Sequence, residues 1–66
     1  MENEKTEIAV IIQALEVVLK KMADSREEMS DNKLPKALLI LNDIDIELQR
    51  ISGQVARLKF DIEKDI

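Results

Sequence analysis

The chain has 66 residues and a formal net charge of -4; 45% of its residues are hydrophobic and 36% charged, and it contains no Cys and no His. A chain this short buries only about 60% of its unfolded surface, so the length allows one domain at most. The missing Cys and His exclude disulfides, thiolate metal sites, the commonest general base and the usual pH switch, and the acidic balance disfavours general attraction to nucleic acid or anionic lipid.

Small scaffolds are usually supported by a disulfide, a metal or a partner subunit, and oligomerisation is the support that remains. Phe60 is the sole aromatic residue, and Gly53 and Pro35 are single residues of their kinds. A β-rich chain would carry more turn residues and aromatics, whereas abundant Leu, Ile, Glu, Asp and Lys predicts an all-α fold.

The start, Met1-Glu-Asn-Glu-Lys-Thr-Glu7, is acid-rich, unlike the basic opening of a signal peptide. Asn3 or Thr6 is placed to cap a first helix, with Glu4 and Glu7 near the positive end of its dipole. In this helix Ile8, Leu15, Met22 and Met29 recur every seven residues, Ile11 and Val18 fill the intervening positions, and Ser25 interrupts that second series. Ile12 and Leu19 widen the apolar stripe on one side, and Val10 and Val17 on the other. A helix this apolar in its first half needs more than one neighbour. Glu16 and Lys20 form an i,i+4 pair worth about 0.2–0.5 kcal/mol. The run Ile8–Leu19 is broken by Gln13 and Glu16 and is too short to span a bilayer. The expected location is therefore cytoplasmic.

Between Ala23 and Lys33 only Met29 is apolar. Ser25-Arg-Glu-Glu28 fits a capping box and would start a new helix there. Met29 stays in phase, however, so the simpler reading carries the first helix through from about residue 4 to 29. Ser30-Asp-Asn-Lys33 is then the turn, Asp31 or Asn32 the cap of the next helix, and Pro35 suits its first turn.

The second helix is predicted from about residue 34 to 64, about 46 Å long. Leu34, Leu41, Leu48, Val55 and Ile62 recur every seven residues, with Ala37, Ile44, Ile51 and Leu58 three residues behind them. These nine positions outweigh the strand-like alternation of Asp43-Ile-Asp-Ile-Glu47 and read as a coiled-coil seam. A short turn between long helices makes them antiparallel. The expected seam of the hairpin is Leu34, Leu41, Ile44, Leu48, Ile51, Val55 and Leu58. Leu39, Ile46 and Phe60 then fall opposite it, with Gly53 between the last two.

Leftover apolar surface on both helices predicts a homo-oligomeric bundle, most simply two hairpins forming a four-helix bundle over a single domain, residues 1–66. Ile8, Ile12, Leu15, Leu19 and Met22 are the expected inner contacts of that interface, and Leu39, Ile46 and Phe60 the outer ones. Met22 and Met29 could adapt to varied partners.

The carboxylates pair at i,i+4 as Asp24/Glu28, Asp43/Glu47 and Asp61/Asp65, an arrangement that can bind a divalent cation or share a proton. Their neighbours are polar, so the expectation is solvated surface acids, with no cofactor and no metal. Ser25, Ser30, Ser52 and Thr6 have no His to activate them, and one Gly cannot build a phosphate cradle. The chain is not expected to be an enzyme. Arg50, Arg57 and Lys64 share one helical row, a candidate ridge for phosphates that Asp43 interrupts and Glu47, Asp61 and Glu63 flank.

In size and hairpin shape the chain resembles the plasmid-copy-control RNA-binding hairpin dimers, a resemblance that implies RNA binding through such a ridge. Arg50-Ile-Ser-Gly-Gln-Val-Ala-Arg57 is similar to the opening segment of the copper-sensing repressors. The Cys and His metal ligands of that family have no counterparts, so no metal role is carried over. The sequence thus predicts a protein–protein interaction or assembly module, an adaptor or small regulator, that partners itself and another protein. A nucleic-acid-binding hairpin is the alternative, and no membrane contact is expected.

Overall fold

The computed structural model describes the backbone of residues 2–66 and the side chains of residues 3–66; Met1, the first residue of the acid-rich start, lies outside them. Two helices, α1 (Glu2–Ser30) and α2 (Leu34–Asp65), pack against each other as a hairpin. The hairpin measures 50 × 15 × 11 Å between Cα extremes. The Asp43–Glu47 alternation is helical, because two residues on either side of it keep the seven-residue phase.

The helix α1 begins ahead of both Asn3 and Thr6, so neither is its N-cap. It also runs unbroken through the capping-box candidate. Ser25 is buried, and its hydroxyl donates to the Met22 carbonyl at 2.7 Å, so the side chain is satisfied within its own helix and needs no new start.

The turn departs from expectation too. Asn32 adopts φ 61°, the left-handed conformation that Asn tolerates better than most residues. The Lys33 amide donates to the Glu28 carbonyl at 2.8 Å and the Asn32 amide to the Met29 carbonyl at 3.0 Å. These two bonds close the C-terminus of α1 as a Schellman motif. Asn32 therefore ends the first helix, and neither it nor Asp31 caps the second. The N-cap of α2 is Lys33, which makes no side-chain capping bond, and Pro35 removes an amide that would have no helical partner there.

The contact between the helices is rotated from the expected seam. Buried along α2 are Ala37, Ile44, Ile51 and Leu58; along α1 they are Ile11, Val18 and Ser25. Ile44, Ile51 and Leu58 are thus seam residues, as expected. Leu34, Leu41, Leu48 and Val55 are not: they are 39–59% exposed and border the seam. Ile8, Leu15, Met22 and Met29 border it equally on α1. The other border of the seam is half-buried and mostly polar: Glu7, Ala14, Lys21 and Glu28 on α1, and Ile40, Glu47, Gln54 and Asp61 on α2. Acids expected to be solvated thus lie against the seam. The physical reason is that one neighbour covers a strip narrower than either apolar arc. The pair closes on one row of each helix, in which Ala, Ser, Val and Ile outnumber the single Leu58, and leaves the adjacent row of each arc at its edge.

This seam is thin and partly unsatisfied. Glu28 Oε2 and Gln54 Oε1 are buried with no hydrogen-bond partner among the described residues. A buried acceptor left unpaired costs about 1–3 kcal/mol. Replacing Gln54 with Leu should therefore raise stability by about 1–2 kcal/mol, read as a higher urea midpoint; an unchanged or lower midpoint would count against the unpaired carbonyl. Asn32→Gly should add up to about 1 kcal/mol, because Gly reaches the left-handed turn without a Cβ penalty; the same titration checks it, and loss of stability would contradict the turn described above.

Candidate functional site: two unlike faces

Three sets of neighbours fix how the helices sit side by side. The Lys21 ammonium meets Asp43 at 2.6 Å. Thr6, Glu7, Val10 and Ile11 line a groove with Gln54 and Arg57. Asn3, Glu4 and Glu7 gather with Asp61, Lys64 and Asp65 at the end away from the turn. Low numbers on α1 therefore face high numbers on α2, as an antiparallel pair requires.

Antiparallel helices place equivalent rows of the two helices on the same side of the pair. Val10 of α1 and Arg57 of α2 share a groove, so their rows define one broad face. The opposite broad face then receives the two rows that border the seam on its other side. From α1 these are Ile8, Leu15, Met22 and Met29; from α2 they are Leu34, Leu41, Leu48, Val55 and Ile62. None of the nine is charged, and each keeps between 39% and 59% of its surface exposed. Ile12 and Leu19 of α1 and Leu38 of α2 extend this apolar face outward, where Lys5, Arg26, Asp45 and Lys59 form its rim.

The other face carries most of the charge and largely neutralises itself, although Val10 and Val17 of α1 lie on it about half exposed. Lys36, Asp43, Arg50, Arg57 and Lys64 form one row of α2 on it. Asp43 is held by Lys21, and the Arg50 guanidinium lies 3.7 Å from Glu47. Arg50, Arg57 and Lys64 do line up, but the ridge carries acids within it. Outside that row, on the flank of α2, lie Leu39, Ile46, Gly53 and Phe60. The residues expected to share one interface thus divide: Ile8, Ile12, Leu15, Leu19 and Met22 sit on the apolar broad face, and Leu39, Ile46 and Phe60 sit away from it. That division follows from the rotated seam, which the periodicity alone did not reveal.

Of the paired carboxylates, Asp43 and Glu47 are engaged by Lys21 and Arg50 respectively, and no group of three or more Asp or Glu side chains is gathered for a metal ion among the described residues. Lys59 pairs with Glu63 at 3.8 Å, and Gln49 donates to Asp45 at 3.4 Å. No described helix is long and apolar enough to cross a membrane. No family model matches the chain, and neither a curated protein nor a solved structure matches it.

The hydrogen bond to Asp43 holds the Lys21 pKa above its ordinary 10.5. A cation whose folded pKa is raised stabilises the fold fully below the unfolded value and loses that contribution as pH rises through the folded one. Comparison of the wild type with Asp43→Asn in urea titrations across the alkaline range should show the wild type losing its advantage there; parallel curves would mean the pair contributes nothing.

Proposed function

We propose that the chain is a non-enzymatic assembly module that pairs with a second copy of itself through the apolar broad face, forming a four-helix bundle. The observation that carries this reading is the tilt of both apolar arcs toward the same side. In a bundle each helix must face two neighbours at once, one beside it and one across, so its apolar arc points between them. The arc of α1 runs from Ile11 and Val18 through Ile8 and Leu15 to Ile12 and Leu19; that of α2 runs from Ile44 and Ile51 to Leu41 and Leu48. The wider part of each arc leads from the seam onto one face, while the large apolar residues on the opposite side are Val10 and Val17 of α1 and Ile40 of α2. The polar seam border of Glu7, Lys21, Glu47 and Gln54 would then lie on the outside of the bundle.

Size supports the same partner. A side of 50 × 15 Å offers a footprint of about 750 Å², close to the ~800 Å² per partner of a standard stable interface. A contiguous apolar face along the hairpin is the kind of surface that marks an interaction site, and two such faces meet without burying a charge at their centre. As an adaptor or small regulator, such a bundle would act by holding partners in place. The nucleic-acid reading would rest on Arg50, Arg57 and Lys64, whose neighbouring acids weaken a phosphate ridge, so the interaction reading is the better supported.

Sedimentation equilibrium tests it. The wild type should sediment as a dimer. Leu48→Glu places a charge at the centre of the apolar face without disturbing a seam residue, and it should weaken association about 100-fold or more while helicity persists. A wild type that remains monomeric at every concentration would overturn the proposal.

A further inference from the structure

The flank of α2 carries a second track that the hairpin leaves unused. Residues 36, 39, 43, 46, 50, 53, 57, 60 and 64 follow the alternating three- and four-residue steps of a helix-packing seam. One row of that track is apolar apart from a glycine: Leu39, Ile46, Gly53 and Phe60. Leu39, Ile46 and Phe60 are all more than half exposed. The other row concentrates positive charge. Of the five cations in α2, Lys36, Arg50, Arg57 and Lys64 fall on it and only Lys59 does not. In a chain of net charge -4 this is a marked segregation. Asp43, the one acid in the row, is held by Lys21, and Arg50 lies 3.7 Å from Glu47 beside the row, so Lys36, Arg57 and Lys64 are the cations offered to a partner.

Gly53 adds an independent observation. A Cβ built there would meet nothing within 4 Å, so packing within the hairpin does not require glycine. Glycine inside a helix costs about 1 kcal/mol relative to Ala. It leaves a notch between Ile46 and Phe60, about two turns from each, that is open to a side chain from outside.

We infer that this track is a docking site for an acidic amphipathic helix of another protein, whose apolar residues lie over Leu39, Ile46 and Phe60 with one entering the notch at Gly53, and whose carboxylates meet Arg57 and the lysines at the two ends of the row, Lys36 and Lys64. An apolar row beside a basic row is the complement of a helix with an apolar stripe edged by Glu or Asp. A nucleic acid would use the cations but would leave the aliphatic row uncovered. The track lies away from the face assigned to self-assembly and stands independently of that reading; in the proposed dimer it would be present twice.

The full chain is tested by fluorescence anisotropy with three labelled probes: a synthetic amphipathic helical peptide with leucines at three- and four-residue steps edged by Glu, the same peptide edged by Lys, and a single-stranded RNA oligonucleotide. The Glu-edged peptide should bind about tenfold or more tightly than the Lys-edged one, and Arg57→Glu should narrow that gap. Ile46→Asp should abolish binding of the Glu-edged peptide while leaving the sedimenting mass unchanged, which separates this site from the self-assembly face. Equal binding of the two peptides, tighter binding of the RNA, undiminished binding to Ile46→Asp, or a fall in sedimenting mass in that variant would each overturn the inference.

Discussion

The fold depends on a narrow antiparallel contact in which Ile11 and Val18 of α1 pack with Ile44, Ile51 and Leu58 of α2. Burial of a few aliphatic side chains must hold two helices of 29 and 32 residues in register. The contact is edged on one side by polar groups, two of which have buried oxygens without partners, and on the other by leucines and methionines that it does not cover. Hydrophobic burial is non-directional and proportional to area. A seam that leaves most of its large apolar residues half exposed therefore keeps a strong tendency to bury more. The proposed self-assembly is the continuation of the force that forms the hairpin.

Electrostatics has a secondary and positional role. Lys21 and Asp43 join the helices about a third of the way from the turn, and Arg50 lies beside Glu47. Exposed pairs of this kind contribute little net stability, but these two lie on the polar face, and the Lys59–Glu63 pair lies only at the rim of the apolar one. Charge thereby makes the two broad faces chemically unlike, so that a second hairpin has only one side on which it can pack without desolvating ions.

The closure of the turn illustrates how a local residue can serve an element other than the one its position suggests. Asn32 stands before a helix and has a capping side chain, yet its backbone conformation terminates the helix behind it. Pro35 and the Lys33 carbonyl, which accepts from the Ala37 amide at 3.1 Å, begin α2 without side-chain help. The hairpin's reversal is thus encoded by backbone geometry at one asparagine.

The amino-acid sequence by itself determined that the chain is helical, that a turn separates two long helices near Asn32, and that Ile44, Ile51 and Leu58 face the neighbouring helix, because heptad spacing and turn residues act locally along the chain. It also marked Leu39, Ile46 and Phe60 as lying apart from the main apolar stripe. Only the tertiary structure decided which edge of each broad apolar arc the pair would close on, since periodicity defines the arc but not the angle at which one neighbour meets it. That angle put Leu34, Leu41, Leu48 and Val55 outside the seam, drew Glu28 and Gln54 against it, and assembled the half-exposed rows of both helices into one face.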